Sequence, residues 1–417
     1  MSVVTTLTRM WLTKSFKPFT FKNEYDEKLP YEECESLGLY IHIPFCMSIC
    51  NFCPYCKVLY SKELCDEYID ALIKEIHITG SSSGEKKQVT SLYFGGGTPV
   101  LAGNRLSEII ETVNKYFIIT EGIGIELHPE NVTYEILSML QKAGITKISI
   151  GIQSFSSKYQ NILGRNAVNI DELKTALSKV HFETVSMDFI FALPNQSFED
   201  LKDDVDKAFY AGANHIAIYP FIDFTFTKSS VEAMSKNEKR KLLDDITAYF
   251  FEKGYVRNSI WTFADSKNTG YSSMTRDNFL GFGCSATTLL KNQFKINTFD
   301  IKSYCSRINE NKLPTSLTIR FTKRQRMIYW LFWTAYSTKV NADDFKKFFG
   351  VSIEKMYGFE LWLAKVFGFI VKKDNIYEMT LKGAFYYHYY ENFYTLSYID
   401  KMWGIMKDNP FPKEIKL

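Results

Sequence analysis

Apolar runs alternate with amphipathic segments from residue 38 to about residue 220. Six short and nearly continuous apolar runs predict buried strands, at 38–43, 90–96, 122–129, 146–154, 185–194 and 215–221. Segments with apolar residues three or four positions apart predict the helices between them, at 62–78, 104–117, 133–144, 169–180 and 197–213. We expect Asn104 to cap one of these helices and Gly144 to end another. The alternation predicts a parallel α/β sheet with crossover helices.

The pattern of apolar residues does not decide whether this sheet is flat and open or curves into a barrel. An open doubly wound sheet and a partial barrel both fit, whereas eight units for a full barrel are not present. After residue 222 we expect a helix at 237–255, a short strand within 255–263 and a loop over 265–283. A basic and aromatic helical region after about residue 315 resembles a small winged-helix-like unit. We divide the chain into an N-terminal arm (1–37), a strand–helix domain (38–222), an extension (223–314) and a helical C-terminal domain (315–417).

Composition narrows the possible partners. The 417 residues are 46% hydrophobic and 23% charged with a net charge of +3, so we expect no nucleic acid partner. No apolar run is long enough to span a bilayer. The first residues contain no acid before Glu24, which faintly resembles a transit peptide. We favour an arm packed on the domain and a cytoplasmic protein.

The eight cysteines are unevenly distributed. Six lie in the first 65 residues, and four of these lie in "CMSICNFCPYC" (46–56), directly after the first predicted strand. This number is too small for a disulfide scaffold, and the clustering indicates metal binding or redox chemistry. We interpret the remaining four as buried thiols without a special role, namely Cys34, Cys65, Cys284 and Cys305.

The spacing of the clustered cysteines allows two kinds of metal site. Cys46, Cys50 and Cys53 can reach three corners of a cubic iron–sulfur cluster and leave one iron open. Cys56 would close that site if it were a fourth ligand. Four thiolates also suit zinc, although zinc sites usually use two separated cysteine pairs. We therefore favour the iron–sulfur cluster.

Further chemistry is predicted at the ends of the following strands. In "YFGGGTP" (93–99) three glycines allow a ligand to approach the backbone closely, although a tight turn would explain them equally well. Four polar residues interrupt or follow apolar strands, where an unpaired polar group is costly, and together they suit a nucleoside-like ligand: Glu126, Gln153, Arg165 and Asp188. We expect His42 to be structural and His388, in "FYYHYY", to belong to a surface aromatic cluster.

Together, "YIHIPFC", "FGGGTP", "GIQSF", "LGR", "DFIFALP" and "FLGFGCSA" resemble the radical S-adenosylmethionine enzymes. More narrowly, they resemble the branch that contains oxygen-independent coproporphyrinogen III oxidase. The resemblance runs from about residue 38 to about residue 310. It implies an incomplete (β/α)6 barrel and an enzyme that uses a [4Fe–4S] cluster to cleave S-adenosylmethionine to a 5′-deoxyadenosyl radical. It also implies a tetrapyrrole or another small-molecule substrate and a flavodoxin- or ferredoxin-type electron donor.

The resemblance assigns roles residue by residue. Cys46, Cys50 and Cys53 would hold the cluster, and Tyr40 and Phe52 would pack around it and the adenosyl ligand. The remaining assignments place Gly96, Gly97 and Thr98 at the methionine part, Glu126 on the first S-adenosylmethionine, and Gln153, Arg165 and Asp188 on a second one.

One departure from the branch leaves the reaction open. The fourth cysteine of the oxidase follows the third by two residues, whereas Cys56 lies three residues after Cys53. Oxidative decarboxylation of coproporphyrinogen III is our first interpretation. The alternatives are a radical methylase that uses two S-adenosylmethionine molecules, an anaerobic haem ring-opening enzyme and, outside enzymes, a haem chaperone.

Overall fold

Six parallel strands form the centre of the computed structural model, which describes residues 3–222, 224, 234–265 and 277–417. In chain order the strands are β1 Thr20–Lys22, β2 Gly38–Ile43, β3 Phe45–Cys46, β4 Val58–Leu59, β5 Lys87–Val89, β6 Leu92–Gly96, β7 Phe117–Ile119, β8 Ile123–Leu127, β9 Lys147–Gln153, β10 Thr184–Phe191, β11 His215–Pro220, β12 Val256–Arg257, β13 Thr262–Ala264, β14 Phe279–Phe282, β15 Thr287–Leu289, β16 Gln293–Asn297, β17 Thr315–Arg320, β18 Lys339–Asn341, β19 Ile370–Lys373, β20 Ile376–Met379 and β21 Glu414–Lys416. The helices are α1 Val3–Thr13, α2 Lys62–Gly80, α3 Arg105–Tyr116, α4 Tyr134–Lys142, α5 Ser157–Leu163, α6 Ile170–Ser178, α7 Phe198–Ala211, α8 Lys236–Glu252, α9 Ile301–Asn309, α10 Lys323–Ala335, α11 Ala342–Phe349, α12 Ile353–Val366, α13 Leu381–Tyr394 and α14 Asp400–Asp408.

The six strands predicted from the apolar runs are confirmed. They are β2, β6, β8, β9, β10 and β11, and each pairs in parallel with the next one along the chain. Most of their side chains are buried, as expected for the strands of a parallel sheet. This is the predicted α/β architecture.

The predicted crossover helices are also present, and polar side chains cap most of their first turns. Ser61 and Thr133 accept backbone hydrogen bonds at the starts of α2 and α4, and Ser197 forms a capping box with Asp200 in α7. The expected cap at Asn104 is wrong, because its backbone is already helical and its side chain makes no capping hydrogen bond.

A seventh parallel strand lies inside the segment predicted as a loop over 265–283, of which 266–276 lie outside the described residues. β14 is fully buried and pairs in parallel with β2, with Gly281 opposite Tyr40. Its four residues include a glycine and follow a polar stretch, so the apolar pattern was too short to indicate a strand. β15, β16, β17, β1 and β21 continue the sheet on one side and β13 and β12 on the other. Within the described residues the sheet stays open, so the barrel is incomplete.

The N-terminal segment forms the helix α1 and the strand β1, which lies between β17 and β21. After β17 the order is helix, strand, helix, helix, strand, strand, from α10 to β20, and its three strands form a sheet of their own. This is the order of a winged-helix unit. Its core includes Trp330, Phe345 and Tyr377. Among the described helices, none is both long enough and apolar enough to cross a membrane.

Gly281 offers a test of the seventh strand. A Cβ atom at this position would overlap the backbone carbonyl of Thr287 in β15, which cannot move without disturbing the sheet. We expect Gly281→Ala to destabilise the protein by about 1–3 kcal/mol, visible as a lower melting temperature. Gly358→Ala in α12 is the matched control, because a Cβ atom there meets no heavy atom within 4 Å. Equal melting temperatures for the two variants would contradict this packing.

Candidate functional site

One cavity of about 1270 Å³ runs along the inside of the open sheet. Its walls include the last residues of β6, β9 and β11, namely Gly96, Gln153 and Pro220. The carboxyl ends of parallel strands are where α/β folds bind ligands. All twelve residues that we assigned to a site from the sequence line this cavity: Tyr40, Cys46, Cys50, Phe52, Cys53, Gly96, Gly97, Thr98, Glu126, Gln153, Arg165 and Asp188.

The cysteine loop forms one part of the wall. Cys46, Cys50 and Cys53 are partly exposed and free of disulfides. The Nε atom of Arg165 donates a hydrogen bond to Sγ of Cys50 over 3.3 Å, and its guanidinium carbon lies 5.9 Å from the Phe52 ring. This places a guanidinium directly beside the loop whose sulfur atoms would bind metal.

The glycine run packs directly against this loop. The backbone N–H groups of Gly97 and Thr98 donate to the carbonyls of Ile43 (2.8 Å) and Phe45 (2.7 Å). A Cβ atom at Gly97 would meet the backbone of Phe45 at 2.5 Å, so only glycine allows this approach. Gly96 has a φ of +116°, where its own Cβ would meet the His42 ring. The run is therefore more than a tight turn, because it holds the cysteine loop.

Glu126 lies beside the glycine run. Its Oε2 atom accepts a hydrogen bond from the Gly96 N–H at 3.1 Å. The pKa of this carboxyl is raised to about 7, mainly by burial; the Gly96 hydrogen bond lowers the pKa and the nearby Asp188 raises it. A buried carboxylate can bind a cationic ligand, which would compensate its charge.

Asp188 belongs to a separate hydrogen-bond network. The hydroxyl of Ser149 donates to both carboxylate oxygens at 2.9 Å, and the hydroxyl of Ser186 lies 3.1 Å from Oδ1. Ser186 also contacts Nδ1 of His215 at 2.8 Å. Burial raises the pKa of Asp188 to about 6 and lowers that of His215 to about 3. We did not identify either serine or His215 from the sequence, because isolated polar residues inside an apolar strand carry no distinctive spacing.

Gln153 ends β9 in a strained conformation. Its φ of +69° is rare for a residue with a side chain. The Gln153 amide lies against Gly151, where a Cβ atom would meet Nε2 at 2.8 Å, and Arg165 donates to the Gly151 carbonyl. Strain of this kind often marks a functional site, and here it brings Gln153 and Arg165 together.

Cys56 differs from the other three clustered cysteines. It is buried, and its Sγ donates to the Phe299 carbonyl at 3.1 Å and lies 3.8 Å from Sγ of Cys284. The hydrogen bond with Cys284 lowers the pKa of Cys56, and His42 lowers it further. The Cys284 thiol is therefore buried, as expected, but has a specific partner that the sequence did not indicate.

His42 completes this arrangement. Its Nε2 atom bonds to the Cys56 carbonyl at 2.9 Å and its Nδ1 atom to the Tyr40 hydroxyl at 3.0 Å. Ligand atoms of His42, Cys56 and Cys284 lie within 4.8 Å of one another. Both ring nitrogens already have partners, so His42 connects the cysteine loop to β2 rather than offering a free metal ligand.

The C-terminal helices contribute another part of the wall. His388 in α13 is 6% exposed, and its ring centre lies 4.2 Å from that of Trp261 with the two rings nearly perpendicular, so the expected surface cluster is wrong for this residue. Its Nδ1 atom is buried without a hydrogen-bond partner among the described residues, and burial lowers its pKa to about 3. One turn later, Glu391 accepts a hydrogen bond from Nε1 of Trp261 at 3.1 Å, and burial raises its pKa to about 7.

Comparisons with known proteins show which chains this one is similar to. Residues 40–208 match the family model described as the radical SAM superfamily. The heme chaperone HemW of Lactococcus lactis is 27% identical over 341 residues, which cover 76% of this chain and 86% of that protein. The oxygen-independent coproporphyrinogen III oxidase of Synechocystis is 25% identical over 331 residues, which cover 73% of this chain and 70% of that protein.

Among solved structures, coproporphyrinogen III oxidase (HemN) of Escherichia coli superposes with a TM-score of 0.77. The two chains are 20% identical, and the superposition covers 92% of this chain and 96% of that one. Residues 40–208 are therefore a radical SAM domain, and the α/β fold of the chain is the fold of HemN. The two relatives described above have different names, one a haem chaperone and the other an oxidase.

The radical SAM family implies a [4Fe–4S] cluster and bound S-adenosylmethionine. The residues present fit both groups. Three free thiols lie on one wall of the cavity, with a cation beside one of them. A buried carboxylate and a glycine backbone adjoin them, and these suit the charged amino-acid part of S-adenosylmethionine.

Substituting a proposed cluster ligand, such as Cys53, should have a different effect from substituting Cys56. We expect anaerobically reconstituted wild-type protein to carry about four irons per chain, as one cubic cluster requires. Cys53→Ala should lose the cluster, whereas Cys56→Ala should keep it, because its thiol is occupied by Phe299 and Cys284. Iron analysis and the visible absorption spectrum measure this. Retention of iron by Cys53→Ala, or its loss from Cys56→Ala, would contradict the three-ligand assignment.

Proposed function

We propose that this protein is a radical S-adenosylmethionine enzyme that acts on a tetrapyrrole. The observation that carries the proposal is that one cavity joins the cysteine loop to a wall of aromatic side chains. Its volume of about 1270 Å³ exceeds the roughly 300–1,000 Å³ of ordinary ligand pockets. That size suits S-adenosylmethionine together with a large flat ligand.

Cys46, Cys50 and Cys53 would hold the cluster. When bound, the cluster and S-adenosylmethionine supply the electron and the 5′-deoxyadenosyl radical that starts the reaction. Gly96, Gly97 and Thr98 would position the methionine part, and Glu126 would compensate its positive charge. The remaining assignments concern packing and a second molecule: Tyr40 and Phe52 would cover the cluster and the adenosyl group, and Gln153, Arg165 and Asp188 would hold a second S-adenosylmethionine.

If Glu126 binds S-adenosylmethionine, the affinity for this ligand should depend on pH. The pKa of its carboxyl is raised to about 7, so it is mostly ionised at pH 8 and mostly protonated at pH 6. A cationic ligand prefers the ionised form, so S-adenosylmethionine affinity should fall as the pH falls from 8 to 6, by up to about tenfold. Calorimetric titration of the cluster-loaded protein measures this. Glu126→Gln should bind more weakly at pH 8 and show a flatter pH profile, whereas an unchanged profile would exclude Glu126 as the charge partner.

The first reaction to test is oxidative decarboxylation of coproporphyrinogen III, since an oxidase is among the relatives. Reduced enzyme would be incubated with S-adenosylmethionine and either coproporphyrinogen III or haem, and the products analysed by mass spectrometry. Loss of two carbon dioxides identifies the decarboxylase, and added methyl mass identifies the methylase or the ring-opening enzyme. The proposal would be contradicted if neither tetrapyrrole stimulated S-adenosylmethionine cleavage and neither one was changed.

A haem chaperone is the second candidate. It is favoured by the HemW relatives and by His388, a buried imidazole in the cavity wall that lacks a hydrogen bond at Nδ1. A neutral imidazole is the form that binds iron. Unchanged haem that stays with the protein through gel filtration, without turnover, would favour this candidate.

A further inference from the structure

Helix α1 has its polar and apolar faces reversed. Its buried residues are Thr5, Arg9 and Thr13, spaced four apart. The exposed face contains Val3, which is 73% exposed, and Leu7, which is 58% exposed. A helix packed on a protein core normally buries its apolar face. The reversal indicates that α1 faces a space where polar groups are useful, and the cavity is that space, since Arg9 and Thr13 line it.

Arg9 is the charged residue on this inward face. Its side chain is 7% exposed, and its Nη1 atom donates to the Lys17 carbonyl. Its Nε atom is buried without a hydrogen-bond partner, and no carboxylate of the described residues is ion-paired with it. Burying a cation without a counter-charge is costly, so a ligand that supplies an anion would be bound favourably.

The other cations of the cavity wall already serve the cysteine loop. The described lining contains three lysines and arginines, which are Arg9, Lys57 and Arg165. Lys57 donates to the Cys53 carbonyl, and Arg165 contacts Cys50. Arg9 comes from a separate element and contacts neither, so it is the cation available to another ligand.

A series of aromatic rings begins beside Arg9. Its guanidinium carbon lies 6.0 Å from the centre of the Phe19 ring, which lies 6.1 Å from the ring of Tyr398. The ring of Tyr394 lies 5.2 Å from that of Tyr398, and the ring of Phe332 lies 5.0 Å from that of Tyr394. All four rings line the cavity. A ligand that fills this part would therefore combine a flat apolar body with a negative group.

We propose that Arg9 binds a carboxylate of the substrate, which we infer to be an aromatic ring system with acidic side chains. This rests on the proposed function, because it identifies the part of the substrate that the N-terminal helix recognises. The planar guanidinium pairs with both oxygens of a carboxylate, and a hydrogen bond of this kind is stronger than one between neutral groups. It would also give the unpaired Nε donor of Arg9 a partner.

The test compares two ligands with the same ring. Coproporphyrin III carries four carboxylates, and its tetra-amide carries none. Fluorescence titration of the cluster-loaded full chain gives both affinities. We expect Arg9→Gln to weaken coproporphyrin binding by about 10- to 100-fold and to leave the tetra-amide unchanged. Arg9→Lys, which keeps the charge but not the paired donors, should lie between wild type and Arg9→Gln.

Arg240→Gln is the matched control, because this exposed arginine does not line the cavity. It should bind both ligands like wild type. Equal coproporphyrin affinity in wild type and Arg9→Gln would overturn the inference and leave the proposed function standing. An equal loss for both ligands in Arg9→Gln and Arg9→Lys would also overturn it, since it would assign Arg9 a structural role through Lys17. If wild type binds neither ligand, the proposed tetrapyrrole substrate fails as well.

Discussion

Two backbone hydrogen bonds between neighbouring loops position the rest of the site. They run from Gly97 to Ile43 and from Thr98 to Phe45, and they attach the glycine run after β6 to the start of the cysteine loop after β2. They are possible because β2 and β6 are parallel neighbours whose carboxyl ends lie side by side. The absence of side chains in the glycine run lets the two backbones approach, so the cysteine loop and Glu126 share one wall of the cavity.

The cavity concentrates groups that a core of this size would normally exclude. Glu126, Asp188 and Glu391 are carboxyls whose pKa values burial raises, and His388 is an imidazole whose pKa burial lowers. In each case burial disfavours the charged form, and few local partners restore it. Such groups are expected where a ligand completes the set of interactions, and their number is consistent with a site that binds more than one cofactor or substrate.

Much of the fold could be predicted from the pattern of apolar residues. The six strands and their crossover helices were confirmed because each strand is a long apolar run buried on both faces. The strand β14 was missed because four residues are too few to show a pattern. The helix α1 was not predicted at all, because its apolar face points outward and its polar face inward. A pattern argument assumes that the inside is apolar, and next to a ligand cavity this assumption fails.

For the site, the sequence by itself determined which residues are chemically unusual: a run of cysteines, a run of glycines and four polar residues at the ends of strands. Local spacing carries this information, because residues that share one ligand often lie on one loop. Spacing and the family resemblance had already set Cys56 apart from the other clustered cysteines. Only the tertiary structure showed its partner, because Cys284 lies 228 positions away in the chain. It also decided that Arg9 and His388 face the cavity, because burial and pairing depend on distant segments that spacing does not describe.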